Sequence, residues 1–432
     1  MNQGRRSVLG LALLGAVHPL LAAAGGKAAL DRELAAIVRD PACELASLSV
    51  LAIRDGAISY EGQFGRRSIT PDRPVDRGTL FRIASVSKMM TTLGLMRLLE
   101  ENRVMLDADV SRYLGFTLRN PHFRAQPVTL RSLLTHTSSL RDDAGYAWPA
   151  GTPLKDVIGP AMWSSRAGPG AYFTYCNLGW GVIGTIMEAV TGERFDRLMR
   201  SLLLAPLGLQ GGYNQAELAD VTNIATLYRK RTVDTEVWNA AGPWIAQADD
   251  VTHKPPLPPP GIEHYAIGTN ATPFSPTGGL RISAQGLGVV MQMLMNGGVH
   301  AGRQILKPST LDLMFRRHWT YQEEISGSNG DTMNGFYTCW GLGNQQFPDL
   351  PADRTRLVQG GGFAAVGHQG DAYGLISAFV MDRQHRNGMV MLVGGTSTDP
   401  QAPANRGLYS AMPRFQERIL TALYRRTISV QT

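Results

Sequence analysis

Strand-like patterning stands at both ends of this chain and helical patterning lies between, an order that limits the fold more than any other feature. Near the start, LASLSVLAIRDGAISYEGQFG (residues 45–65) reads as two β-rich runs around Asp55-Gly56, a pair suited to a tight hairpin. Near the end come FAAVGHQG (363–370), GLISAFVMD (374–382) and GMVMLVGG (388–395). The last two are joined by RQHRNG, in which Asn387-Gly388 is the expected turn. From Ser85 to about Leu209 the pattern is mostly helical. VTLRSLLTH has Thr129 as a cap, and NLGWGVIGTIMEAVTG keeps Leu178, Val182, Ile186 and Val190 in register until Gly192 stops it. One amphipathic helix, with Leu30, Leu34 and Ile37 on a face, precedes the first strands; another, with Phe415, Ile419, Leu423 and Tyr424, follows the last. The expected fold class is α/β in the broad α+β sense. Its antiparallel sheet is formed from both chain ends (about 30–84 and 277–425) and flanked by helices, with an inserted all-helical region at about 85–276.

Two stretches fit that plan poorly. Residues 213–276 contain HKPPLPPPG, which is neither helix nor central strand, and residues 316–358 are rich in Gly, Asn, Asp and aromatics. Each is either a binding wall or surface decoration.

With 432 residues, 44% hydrophobic and 18% charged, the chain can bury one large core or two ordinary ones. The net charge is +7, but the basic residues are mostly arginines scattered between apolar blocks, without the basic run that a nucleic-acid surface needs. Residues 1–24 are expected to be a signal peptide: Arg5 and Arg6, an apolar stretch from Val8 to Leu21, then Ala22-Ala23-Ala24. The arginine pair before SVLG is similar to a twin-arginine signal, with ordinary secretion as the alternative. The expected location is periplasmic or secreted. Residues 25–432 would then form one domain, with no stable membrane span after signal removal. Three cysteines (Cys43, Cys176, Cys339) allow at most one disulfide, and export permits Cys43–Cys339. No Cys-x-x-Cys or His-Glu-x-x-His spacing points to a metal, and no cofactor is expected.

Chemistry enters with FRIASVSKMM (81–90), which opens a long apolar helix yet carries Lys88 in its first turn, where the positive end of the helix dipole disfavours a cation. Residues three apart on a helix are neighbours, so Ser85 and Lys88 bring a hydroxyl and an amine together. Ser87 adjoins Lys88 in sequence but points about 100° away. Lys88 can act as a base only when neutral, and the dipole contributes roughly 0.3–1 kcal/mol towards that. Burial must do most of the work, and the run MMTTLGLMRLL that follows is apolar enough to supply it. Two further clusters stand downstream: Tyr175-Cys176-Asn177 at a helix entrance, and His368-Gln369-Gly370 on a late strand.

Ser-x-x-Lys, Tyr-x-Asn and a Lys/His-x-Gly triplet, in this order, resemble the motif set of the class C β-lactamase-like serine hydrolases. That family includes β-lactamases, D-alanyl-D-alanine carboxypeptidases, D-aminopeptidases and esterases. The similarity extends to LLTHTSSL, GERFDRLMRSLLLAPLGL and TGGLRISAQGLG, and covers about residues 30–425. It implies a β-lactamase/transpeptidase-like fold with the active site between sheet and helices. It also implies roles: Ser85 as acylated nucleophile, Lys88 as the group that takes its proton or holds its partner base, and Tyr175 as general base and then acid to the leaving group. Asn177 would hydrogen-bond the substrate, His368 would line the cleft opposite Ser85, and Gly370 and Asp371 would complete the substrate wall. The N–H groups of Ser85 and Asp371 would form the oxyanion hole.

Departures from the family pattern narrow the expected activity. Where β-lactamases carry Lys-Thr-Gly, His368 replaces the cation and Asp371 adds an acid, which favours a peptidase, amidase or esterase acting on a small molecule or peptide. A β-lactamase or D-Ala-D-Ala carboxypeptidase is the alternative within the family. An exported binding protein that has lost its chemistry is the alternative of another class, although no catalytic motif is damaged. An α/β-hydrolase would need Gly-x-Ser-x-Gly, and GTSTD (395–399) ends in Asp. Ser139 stands where relatives often have Gly, which leaves the local backbone open. So does the oligomeric state remain open.

Overall fold

The computed structural model describes residues 17–324, 327–350 and 354–429. Residues 1–16, with the Arg5–Arg6 pair and much of the expected export signal, lie outside the described residues. Val17 to Ala24 are the first turns of helix α1 (Val17–Val38). No helix among the described residues is long and apolar enough to cross a membrane.

Strands β1 (Ser47–Arg54) and β2 (Ala57–Ser68) form the expected hairpin, with Asp55 at φ 53° and Gly56 at φ 83°. Two successive positive φ values give the turn the twist that the flanking strands require. Next come β3 (Arg73–Pro74), β4 (Phe81–Arg82) and the helices α2 (Val86–Glu100), α3 (Leu130–Leu134) and α4 (Leu178–Thr191). Thr129 caps α3, its hydroxyl accepting from Ser132 N–H at 3.1 Å, and Gly192 ends α4 at φ 74°. After β5 (Arg281–Ile282) and α5 (Ala284–Met295), the chain returns to the sheet. There it forms β6 (Trp319–Thr320), β7 (Cys339–Trp340), β8 (Gln345–Phe347), β9 (Ala365–Ala372), β10 (Leu375–Asp382) and β11 (Asn387–Val393), and it closes with α6 (Arg414–Leu423).

The nine strands run β6-β7-β8-β9-β10-β11-β1-β2-β3, all antiparallel, so the two ends of the chain meet at the β11–β1 pair. Both faces of the sheet are covered. Leu51, Ile53, Phe379 and Leu392 face α2 and α5, while Val50, Ala52, Val380 and Met391 face Leu30, Leu34 and Ile37 of α1 and Ile419 and Leu423 of α6. Burial on both faces explains why the central strands are almost continuously apolar rather than alternating. Helix α2 is buried nearly all round between sheet and helical region, and Lys88 within it is 0% exposed.

Three expectations change. The β10–β11 turn is Arg383–Arg386, and Asn387 and Gly388 already pair in the ladder with Asp382 and Met381. Asp382 organises that loop by accepting from His385 N–H at 3.1 Å, while Gly388 lets α5 approach: a Cβ there would lie 2.1 Å from the Met291 sulfur. Within the expected all-helical region, Leu227–Lys230 pairs antiparallel with Trp244–Ala248 and parallel with Gly395–Thr396. Cys43, Cys176 and Cys339 are unpaired and buried. Cys43 packs with the α1 layer, whereas Cys339 lies on β7 towards the opposite edge of the sheet, so the disulfide that export would permit does not form.

Candidate active site

Ser85 sits where β4 turns into α2. Ala84 just before it is held at φ 46°, in the left-handed region that costs a residue with a side chain of order 1–3 kcal/mol. The bend presents half-buried Ser85 to a cleft of about 840 Å³ between the sheet and the helical region. Ser87 faces the other way: it is 0% exposed, and its hydroxyl accepts from Leu280 N–H at 3.2 Å.

Lys88 Nζ donates to Ser85 Oγ at 3.0 Å, to Asn177 Oδ1 at 2.8 Å and to the Thr277 carbonyl at 3.2 Å. Burial lowers its pKa to about 7, and the negative charge of Asp142 opposes that shift. The Tyr175 ring lies 4.8 Å from Nζ. Burial raises the Tyr175 phenol above its ordinary value, with hydrogen bonding to Ser85 and Tyr337 opposing it in part. Asn177 is held tightly: Oδ1 also accepts from Thr277 Oγ1 at 2.7 Å, and Nδ2 donates to Asp142 at 2.9 Å. One Nδ2 hydrogen remains for the cleft that Asn177 lines.

Strand β9 passes directly beside Ser85. A Cβ on Gly370 would stand 2.9 Å from Ser85 N and 2.8 Å from the Ile83 carbonyl, so only glycine allows this approach. Ser85 N–H, next to that strand, donates to nothing among the described residues. Gln369, Asp371 and Tyr373 line the cleft, with Asp371 accepting from Gln401 Nε2 at 3.1 Å.

His368 departs from its expected place. It is 0% exposed and does not line the cleft; it shares the face of β9 that turns Gly370 towards Ser85, but its ring is covered by Trp340, which it meets edge-on at 5.4 Å. Burial first, and then the Lys88 charge, push its pKa down to about 3, so the ring is neutral. Its Nδ1–H donates to the Gln369 carbonyl, which leaves the Nε2 lone pair buried without a partner.

The structure therefore brings Ser85, Lys88, Tyr175, Asn177, Gly370 and Asp371 to one cleft, with His368 behind it. Several contributors carry no local signal. Asp142 accepts from the N–H groups of Asn177 and Leu178, each at 2.9 Å, and from Cys176 Sγ at 3.3 Å, and so caps α4 from a loop 35 residues upstream. Its only hint in the sequence is an acid in RDDAG. His136, in the LLTHTSSL run, accepts the Cys176 N–H at 2.9 Å and is packed among Phe173, Tyr175, Trp180 and Trp340; burial, then Lys88, keeps it neutral. Tyr337 stacks on Tyr175 at 4.9 Å and 6°. It comes with Met333 and Phe336 from the 316–358 stretch, which thus builds both three edge strands and a cleft wall. Ser139, whose backbone the sequence left open, is left-handed at φ 65°, and its hydroxyl accepts from Asn120 Nδ2 at 2.9 Å.

The chain is 31% identical over 169 residues to "Penicillin-binding protein 4*" of Bacillus subtilis, covering 37% of this chain and 36% of that protein. It is 31% identical over 192 residues to "Esterase EstB" of Burkholderia gladioli, covering 39% of this chain and 47% of that protein. The matches thus span between a third and a half of these relatives' lengths. The fold is shared with a D-amino acid amidase from Ochrobactrum anthropi SV3, at TM-score 0.66 and 17% identity over 93% of this chain and 98% of that one. A family model described as Beta-lactamase matches residues 30–411, nearly all of the sheet and helical region described above, and the chain belongs to that family.

Proposed function

We propose that this protein is a serine hydrolase that cleaves an amide or ester bond through an acyl-enzyme on Ser85, as a peptidase, amidase or esterase. The observation that carries the reading is the surroundings of Lys88 Nζ. All three of its contacts accept hydrogen bonds, but the Thr277 carbonyl and Asn177 Oδ1 can only accept. When Lys88 loses its proton, Ser85 is the one neighbour able to turn donor, so its O–H points at the free amine lone pair.

Acylation then follows. Ser85 Oγ bonds to the substrate carbonyl carbon as its proton passes to Lys88 Nζ, and the oxyanion is received by the N–H groups of Ser85 and Asp371. The raised pKa of Tyr175 keeps it a phenol, suited to donating to the departing amine or alcohol and regaining a proton from Lys88. Water repeats the attack to release the acid. A buried, neutral His368 supplies no cation, which supports peptidase, amidase or esterase chemistry over β-lactam hydrolysis.

The test is intact-protein mass after incubation with a fluorophosphonate and, separately, a penicillin. The wild type should gain one fluorophosphonate adduct and Ser85→Ala none; a folded wild type that gains none sinks the reading. A rapidly released penicillin adduct would favour the β-lactamase alternative instead.

Lys88 also sets a pH dependence. Its folded pKa lies below its ordinary value, at about 7, so the reactive neutral form accumulates as pH rises. The labelling rate is expected to climb with pH, reach half its maximum near the Lys88 pKa and then stay level, since Tyr175 ionises only at higher pH. A flat profile between about pH 5 and 9 would mean that Lys88 is not the base.

A further inference from the structure

Arg82 stands three residues before Ser85 and lines the same cleft. Among the described residues it has no carboxylate within ion-pair distance. Its Nε donates to the Gly278 carbonyl at 3.1 Å, and its two terminal nitrogens donate to nothing among the described residues. Directly across the β4–β5 ladder it faces another arginine, Arg281. That residue takes both oxygens of the buried Asp249, at 2.7 and 3.1 Å. The carboxylate that feels both guanidinium groups is therefore committed to Arg281. By contrast Arg229, the other arginine of the cleft, has Glu236 at 3.7 Å and the Trp238 ring at 5.1 Å.

A cation in a protein wall without its counter-charge is costly, and like charges facing across a ladder add to that cost. Yet the guanidinium is held in place. It lies 5.2 Å from the centroid of the Tyr373 ring, which stands on the tight β9–β10 turn. A fork of two free N–H-bearing nitrogens beside the nucleophile matches the geometry of a carboxylate. We propose that Arg82 is an anion subsite of this cleft, and that the protein acts preferentially on amides or esters that carry a carboxylate away from the reacting bond. The proposal rests on the hydrolase reading above. It supplies to the cleft, at a different position, the cation that His368 does not.

Two matched substrate pairs test it and separate the sources of the carboxylate. In one the acyl group varies, a 4-nitrophenyl hemiglutarate against its methyl ester; in the other the leaving group varies, an acetyl thioester of mercaptoacetic acid against its methyl ester. The wild type should prefer the anionic member of at least one pair by kcat/KM. Arg82→Gln should lower the anionic-to-neutral ratio by about 10–100-fold, as the loss of a charge-assisted contact predicts, with Arg82→Lys recovering part. No preference in either pair, or an unchanged ratio in Arg82→Gln, overturns the proposal. Where Arg82→Gln fails to fold or these esters are not turned over, protection of wild-type Ser85 from fluorophosphonate decides: glutarate should protect and glutaramide should not, and equal protection overturns it. If the wild type neither labels nor turns over any ester, the hydrolase reading falls instead.

Discussion

Lys88→Met is expected to give a protein that is more stable than the wild type and nearly inactive. Methionine approximates the length of the lysine stem and suits the wholly buried site, where 0% of Lys88 is exposed. A drop in lysine pKa from 10.5 in the unfolded chain to about 7 in the folded one corresponds to roughly 5 kcal/mol spent on burying the ammonium. The sign follows from proton binding. Below pH 7 both states hold the proton and the whole cost is present; between about pH 7 and 10.5 the unfolded chain holds more protons, so the wild type gains stability as pH rises. The variant lacks this slope. Against that gain stands the loss of three hydrogen bonds at Nζ, although Asn177 Oδ1 keeps Thr277 as a partner. The net expectation is a stabilisation of about 1–3 kcal/mol near pH 7, seen as a higher denaturant midpoint. Without a base, kcat/KM should fall by about 10³-fold or more. A variant that loses stability, or keeps its activity, would contradict the role assigned to Lys88.

Asp142→Ala acts through position rather than chemistry. Its carboxylate receives two backbone N–H groups at the start of α4 and the side-chain amide of Asn177, so alanine leaves the helix entrance uncapped and frees the group that holds Lys88. Loss of such a cap costs about 2 kcal/mol in folding stability. The site should also loosen, with kcat/KM lower by about 10–100-fold, because Asn177 holds Lys88, the base in the proposed acylation. Urea unfolding and steady-state kinetics on one preparation check both halves. Full activity in a destabilised variant would show that Asp142 serves the fold alone.

Motifs on a single element were readable from the sequence because their geometry is local. Ser85 and Lys88 are three residues apart on one helix, and Gly56, Thr129 and Gly192 mark turns and caps whose backbone needs are equally local. The exception shows the limit. Asn387-Gly388 has a turn signature but lies in a strand, because Asp382 fixes an earlier turn and α5 needs the missing side chain of Gly388. His368 is similar: its place in the third motif suggested a cleft residue, and the Trp340 ring, brought in by the 316–358 stretch, covers it.

By itself, then, the sequence determined which elements form, that distant strands must share one sheet, and that a serine and an amine lie side by side at a helix start, since each depends on periodicity or on spacing within a few residues. Only the tertiary structure decided how far Lys88 is buried, that Asp142 caps α4 across 35 residues, and that Arg82 meets Arg281 and a carboxylate already taken. Charge balance and desolvation belong to what surrounds a residue in space, and the chain brings those neighbours from segments up to some two hundred positions apart.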